Sequence, residues 1–124
     1  MSLYHYLVRL ETVLRSRQDI NIELLQVDVI TIGVKFKCEL RFYDGSRLSV
    51  VEELVTTEKQ DFDRVNYKFH YQNMTGNLVF RYDNAPHYPD LPTFPAHKHI
   101  GDAVFDAESP DLNEVLAEID TLPP

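Results

Sequence analysis

The 124-residue sequence lacks the residues and runs that define several large classes of protein. Cys38 is its one cysteine, which excludes an internal disulfide framework and a zinc site built from several cysteines. No run of about 18 uncharged apolar residues occurs, and residues 1–14 contain Arg9 and Glu11 where a signal peptide needs an apolar segment. We therefore expect a cytoplasmic protein that does not contact a membrane.

Sequence motifs with a known catalytic geometry are also missing. The chain has no glycine-rich phosphate loop, no GxSxG, no HExxH and no zinc knuckle. Any chemistry must therefore come from residues that the fold brings together.

The length and the composition are typical of one globular unit. A domain usually has about 100 to 200 residues, and a chain with 44% hydrophobic and 11% aromatic residues is too apolar for disorder. We predict a single domain over residues 1–124.

The net charge of −8 is concentrated at one end of the chain. Residues 102–124 contain seven acidic residues and no lysine or arginine, a charge of −7, so residues 1–101 carry only −1. An acidic chain repels phosphate backbones on average, which argues against non-specific duplex binding. A local basic site on the nearly neutral body remains compatible with this charge.

The hydrophobic periodicity predicts a helix followed by an antiparallel sheet. Apolar residues recur at three- and four-residue steps over about residues 2–18, as in an amphipathic helix that Ser2 can cap. From about residue 20 to 83 the period is two, as in half-buried strands. In this pattern Cys38 points inward and is a buried small hydrophobe.

A first hairpin is predicted at Asp44 and Gly45. These residues favour a three-residue loop that pairs Leu40 with Leu48. Over residues 50–55 the alternation slips by one position, which predicts a bulge or a bend.

A second hairpin is predicted around a four-residue turn at residues 73–76. The expected inward pairs are Tyr71 with Leu78, Phe69 with Phe80, and Tyr67 with Tyr82. The same register places His70 opposite Val79 and diagonal to Arg81. One outer face then collects His70, Gln72, Arg81 and Asp83.

Regular structure is expected to stop after the second hairpin and to return near the end of the chain. Four prolines, at every third position from Pro86 to Pro95, favour a polyproline-like path for the loop 84–101. Ser109 and Pro110 predict the start of a helix over about residues 110–120 with a solvated acidic face. Its apolar stripe is Leu112, Val115, Leu116 and Ile119. The predicted fold is α+β, a curved antiparallel sheet of about five strands with both helices on one face.

Histidines are concentrated in the proline-rich loop. His87, His97 and His99 lie within thirteen residues, and the second hairpin brings His70 and Arg81 to the start of the loop. Metal-independent RNA cleavage needs a base, an acid for the leaving oxygen, and a fixed cation for the phosphorane charge. Imidazoles and a guanidinium can supply all three, and aromatic residues nearby can stack unpaired bases.

Two segments resemble the TumE family of bacterial toxin–antitoxin toxins. These are YKFHYQN at residues 67–73 and RYDNAPHYPDLPTFPAHKH at residues 81–99, and the resemblance extends from the first helix to the last. Tyr71 stands where the family has a tryptophan, and Tyr88 and Ala96 stand where further histidines are common. The family residues that carry over are His70, Arg81, Asp83, Asn84, His87, His97, Lys98 and His99.

The resemblance implies a toxin with a small antitoxin as partner, and with the residue types above it predicts a ribonuclease acting on RNA. The predicted catalytic residues are His70, Arg81, Asp83, His87, His97 and His99. The predicted substrate-binding residues are Asn84, Lys98, Tyr82, Tyr88 and Gln72. We assign no metal ligand and no cofactor, and a homodimer is compatible with the sequence.

Two alternative functions remain open. A protein-binding module can use the Pro/His-rich loop as its docking surface. His97 and His99 lie on one side of an extended chain, so with Asp83 or His87 they also match the ligands of a metal-dependent hydrolase or nuclease.

Two simpler interpretations apply to the strand end. Arg81 and Asp83 are two residues apart on one strand face and can pair with each other. Residues 83–86 can form an Asx turn as the chain leaves the strand.

The loop also predicts pH-dependent RNA binding. Residues 81–99 contain two basic and two acidic residues, so protonation of three histidines raises their charge from zero to +3. Attraction for RNA should therefore rise as the pH falls through about 6.5. Glu114, Glu118 and Asp120 would oppose this attraction within a Debye length of about 8 Å.

Overall fold

The computed structural model describes residues 1–123, and in this part of the chain two helices accompany seven strands. The helices are α1 (Leu3–Ser16) and α2 (Leu112–Thr121). The strands are β1 (Ile20–Ile30), β2 (Gly33–Phe42), β3 (Arg47–Thr56), β4 (Phe62–Gln72), β5 (Leu78–Asp83), β6 (His97–Ile100) and β7 (Ala103–Asp106). They form one antiparallel sheet in chain order. The α+β prediction is confirmed, with seven strands in place of about five.

The two additional strands lie in and after the segment that we expected to be an irregular loop. β6 and β7 contain no proline, so their backbone N–H groups can join the sheet, and β6 pairs with β5. The prolines lie before β6, where the N–H groups of His87, Leu91, Phe94 and Ala96 bond to carbonyls two or three residues earlier. The expected polyproline-like path was therefore wrong, because the chain forms successive tight turns.

Helix α1 packs its apolar stripe against the sheet. Ser2 caps it by accepting a hydrogen bond from the His5 N–H, and Leu10 and Leu14 are buried. The helix ends at Ser16, two residues before the expected end, since Arg17 has an extended backbone.

Helix α2 begins at a different cap from the one predicted. The carboxylate of Asp111 accepts from the Glu114 N–H at 2.8 Å and the Glu114 side chain reaches back to the Asp111 N–H, which is a capping box. Ser109 instead accepts a hydrogen bond from the Tyr67 hydroxyl. The predicted stripe is buried as expected, in the residues Leu112, Val115, Leu116 and Ile119.

One hydrophobic cluster joins both helices to the same face of the sheet. Phe36, Phe69 and Phe80 lie at its centre and are at most 2% exposed. Burial of each such side chain contributes about 1.5–3 kcal/mol. Cys38 is buried in this cluster, as predicted.

The first hairpin has the predicted register. Leu40 pairs with Leu48, and Gly45 has a φ of 85°, the left-handed conformation that the three-residue loop requires. The turn residues and the alternation of β2 together therefore predicted the register of this hairpin correctly.

The second hairpin pairs Tyr71 with Phe80, two residues beyond the expected partner. The loop closes between the backbones of residues 73 and 77, and Val79 forms a bulge that adds the extra residue. The expected pairs Tyr71–Leu78, Phe69–Phe80, Tyr67–Tyr82 and His70–Val79 were therefore wrong. A shift of two residues keeps every side chain on its face, so His70 lies directly opposite Arg81 on the outer face.

The slip in the alternation at residues 50–55 comes from a buried acid. Glu52 takes an inward position on β3 and is fully buried, where it accepts hydrogen bonds from Tyr6 at 2.5 Å and Arg64 at 2.7 Å. A bulge is present beside Glu53, but its extra residue, Val65, belongs to β4.

Over residues 1–123, no helix is both long enough and apolar enough to cross a membrane.

Candidate functional site

A cavity of about 570 Å³ opens on the outer face of the sheet, the face opposite the hydrophobic cluster. Strands β2 to β6 form its floor, and the loop 84–96 forms one wall through Ala85, His87 and Tyr88. The pairing of β5 with β6 places Arg81 beside His99 at the end of this floor. The same pairing places Asp83 beside His97.

Asp83 is the centre of a polar cluster in this cavity. Its Oδ1 atom is 2.9 Å from His97 Nε2, and its Oδ2 atom is 3.5 Å from His99 Nε2 and 3.4 Å from Arg81 Nε. Oδ1 also accepts a hydrogen bond from the Ala85 N–H at 3.0 Å. Both simpler interpretations of the strand end therefore hold, since Asp83 pairs with Arg81 and forms an Asx turn.

His97 is almost completely buried, at 1% exposure. Its Nδ1 atom lies 2.9 Å from the Pro95 carbonyl oxygen, and because a carbonyl only accepts, Nδ1 must donate. Its Nε2 atom is close to Asp83 but is not aligned with it, and it has no hydrogen-bond partner. The Pro95 carbonyl therefore orients the His97 ring, which exposes almost none of its surface to the cavity.

His99 is more accessible than His97, with 15% of its side chain exposed. Burial and then the Arg81 guanidinium lower the pKa of His99 below the ordinary histidine value. A neutral imidazole that faces the cavity can accept a proton or bind a cation.

Tyr88 connects the proline-rich loop to the histidines. Its ring centroid is 4.9 Å from that of His97, 5.9 Å from that of His99 and 6.4 Å from that of His87, with edge-to-face geometry. The tyrosine covers His97, and the exposed His87 lies beside it at the cavity wall. The three loop histidines thus lie around one aromatic ring.

The model of the family described as Toxin TumE matches residues 8–122, which include the whole cluster. The chain belongs to the TumE toxin family. It is thus the toxin component of a toxin–antitoxin module, a class of protein that has a cognate antitoxin. No match to a curated protein or to a solved structure was found.

Three lysines of this TumE toxin also line the cavity, and sequence reasoning missed them. Lys35 and Lys37 come from β2 and Lys68 from β4. With Arg81 they give four cations against the single carboxylate of Asp83, a charge of +3 when the imidazoles are neutral. The alternation of each strand predicted that these lysines lie on the outer face of the sheet. Their proximity to Asp83 follows only from the register of four strands.

His70 and Gln72 of the TumE toxin do not line the cavity. His70 lies directly opposite Arg81 on β4, and burial and then Arg81 lower its pKa. Arg81 therefore separates His70 from the cluster around Asp83.

Tyr82 and Lys98 lie on the helix side of the sheet, away from the cavity. The Lys98 ammonium donates to Glu118 at 2.6 Å, and the Tyr82 hydroxyl donates to Glu118 at 2.5 Å. Both residues alternate with the cavity residues along their strands, so the neighbours of Asp83 and His97 must face α2. The structure thus places these two predicted substrate-binding residues in the packing of α2.

Asn84 lines the cavity, but its amide is bonded to the backbone of β4. It accepts from the Tyr67 N–H at 3.1 Å and donates to the Val65 carbonyl at 3.0 Å, beside the β4 bulge. Its side chain therefore holds the strand end in place.

The acidic tail of the TumE toxin is partly structural, whereas we expected a solvated face. Asp111 and Glu114 form the α2 cap, Glu118 binds Lys98, and Asp120 accepts from Arg17 at 2.7 Å. Charge reversal of the tail would therefore break these contacts as well as change the field near the cavity.

Proposed function

We propose that this TumE toxin cleaves single-stranded RNA in the cavity and that a small antitoxin neutralises it. The observation that carries the proposal is the coincidence of four cationic side chains with an imidazole–carboxylate cluster in one cavity. Cationic side chains bind the phosphate backbone, and fixed positive charge stabilises a phosphorane.

The lysines support a substrate that crosses the strands. Lys37 on β2 and Lys68 on β4 flank Val51 in one row of the sheet that continues to Asp83 and His97. A backbone lying along this row brings one phosphate to the cluster while the lysines bind its neighbours. Tyr88, which is 36% exposed at the wall, offers a ring on which an unpaired base can stack.

The cavity contains the groups for cleavage without a metal. Neutral His99 accepts the proton of the ribose 2′-hydroxyl, the 2′-oxygen attacks phosphorus, and the 5′-oxygen leaves with a proton from His87. Arg81 stabilises the added negative charge. The products are a 2′,3′-cyclic phosphate and a 5′-hydroxyl end.

Metal-dependent cleavage is the second candidate, because one observation favours it. The buried Nε2 atom of His97 has no hydrogen-bond partner although it lies at the centre of the cluster. An ion held there would polarise a phosphate oxygen as a Lewis acid.

A cleavage assay on an unstructured end-labelled RNA tests the proposed function. The toxin should cut the RNA, and Arg81→Gln should cut it about 100-fold more slowly, the typical cost of one charge-stabilising donor. Arg15→Gln is the matched control, because this substitution removes the same charge from an exposed residue of α1. Resistance to EDTA identifies the metal-free scheme, and RNA left intact with and without added divalent ions would contradict both schemes.

A further inference from the structure

Three side chains of the cluster bring metal-ligating atoms close together. One ligand atom each from Asp83, His97 and His99 lies within 4.8 Å of the others. Two imidazole nitrogens with one carboxylate oxygen are a common donor set for divalent transition-metal ions with open coordination positions. The pairing of β5 with β6 positions the backbones of all three residues. Asp83 pairs directly with His97, and Arg81, two residues before Asp83, pairs with His99.

The hydrogen bonding of His97 is the arrangement of a metal ligand. Its Nδ1–H is committed to the Pro95 carbonyl, so the neutral ring presents a lone pair at Nε2. Metal-ligating histidines almost always donate their other ring N–H to a carbonyl or a carboxylate in this way. Without an ion, the Nε2 lone pair is buried with no hydrogen-bond partner, close to a carboxylate that cannot donate to it, which is an unfavourable arrangement.

An ion pair between His97 and Asp83 is the competing explanation. It would require an imidazolium whose Nε2–H points at the carboxylate, yet the two atoms are not aligned for a hydrogen bond at their 2.9 Å separation. The contact is therefore close without being a good hydrogen bond, which is expected of two ligands that share an ion.

We propose that Asp83, His97 and His99 bind one divalent transition-metal ion of the Zn²⁺ type. Two ligands at about 2.1 Å from a zinc ion are about 3.0 Å apart at a right angle and about 3.4 Å apart at the tetrahedral angle. Asp83 Oδ1 is 2.9 Å from His97 Nε2 and Asp83 Oδ2 is 3.5 Å from His99 Nε2, so these separations match a site in which both carboxylate oxygens face the ion.

The surroundings leave the ion open to the cavity alone. Tyr88 covers His97, while the three ligands all line the cavity, so the remaining coordination positions face the space where a phosphate would lie. With the ion bound, His99 is a ligand and no longer a free base. The metal site rests on the cluster geometry and not on RNA cleavage, so each proposal can fail without the other.

Zinc binding to the full-length, chelator-treated protein tests this site by isothermal titration calorimetry. One Zn²⁺ per chain should bind, and Asp83→Asn, His97→Gln and His99→Gln should each weaken the affinity by 10-fold or more. His5→Gln is the control and should leave the affinity unchanged, because His5 lies on α1 and does not line the cavity.

Two further measurements keep the test valid if a variant folds poorly. Circular dichroism checks the fold of each variant, and His99→Gln changes the more exposed of the two imidazole ligands. Co²⁺ added to the wild-type protein should give visible d–d bands that Asp83→Asn abolishes. Absence of Zn²⁺ binding, or one-to-one binding that survives the three ligand substitutions in folded protein, would overturn the proposal.

Discussion

Removal of the cavity lysines gives a quantitative prediction for RNA binding. Lys35, Lys37 and Lys68 form no ion pair among the residues 1–123, so they are free to bind phosphate. Each phosphate contact on a single strand contributes about −0.7 to the slope of log affinity against log salt concentration. With Arg81 as the fourth cation, the predicted slope for the wild-type protein is about −2.8.

The double variant Lys37→Gln/Lys68→Gln should halve this dependence, to a slope of about −1.4. Between about 50 and about 200 mM salt, the affinity of the wild-type protein should fall about 50-fold and that of the double variant about 7-fold. Both lysines project from the outer face, so the substitution leaves the buried cluster unchanged.

Fluorescence anisotropy with a short 2′-O-methyl RNA measures this slope without 2′-hydroxyl attack. Arg9→Gln/Arg15→Gln is the matched control, because it removes two positive charges from α1 and leaves the cavity intact. An equal loss of slope in the control would show that net charge and not the cavity binds RNA. An unchanged slope in the lysine double variant would refute the reasoning.

Three predictions concern stability and reactivity. Arg64→Met should lower the free energy of unfolding by about 3–5 kcal/mol in urea titrations, because it leaves the fully buried Glu52 carboxylate without its cation. Gly33→Ala should cost about 3 kcal/mol in the same assay, since an added Cβ would lie 1.8 Å from the Leu54 carbonyl oxygen; a loss below 1 kcal/mol, as a rough limit, would mean that β2 and β3 can separate there. Burial raises the pKa of Cys38 to about 12, so raising the pH should not speed thiol labelling of the folded protein. In urea the same pH rise should accelerate labelling, because a free thiol has a pKa of about 8.5, and fast labelling of the native protein would contradict the burial of Cys38.

Alternation predicted the face of most side chains but not their partners. Period-two patterns depend only on the residues of one strand, which is why the inward positions of Phe69 and Phe80 were correct although their pairing was not. The bulge at Val79 is a property of two strands and the loop between them. Glu52 made the alternation of β3 look irregular, because a charged residue is not expected at an inward position. Its cation, Arg64, belongs to another strand and is not visible in the sequence of β3.

The sequence predicted which residue types form the candidate site, but only some of the particular residues. The loop histidines and Asp83 carry local signals, as unusual polar residues close together in the chain. The lysines of β2 come from far along the chain and reach the cavity through the order of the strands. Lys98 was predicted to bind substrate because the loop was not expected to form β6. In a strand, neighbouring side chains point to opposite faces, so Lys98 points away from His97 and towards Glu118.

The central claim is that RNA is cut at this cavity, and sequencing of cellular RNA ends tests it most directly. The toxin is induced without its antitoxin, beside Arg81→Gln and the α1 control Arg15→Gln at equal protein levels. The account predicts growth arrest with new RNA ends for the wild-type and control proteins, and neither for Arg81→Gln. Growth arrest by the wild-type toxin with no new RNA ends, or identical new ends from Arg81→Gln, would contradict it.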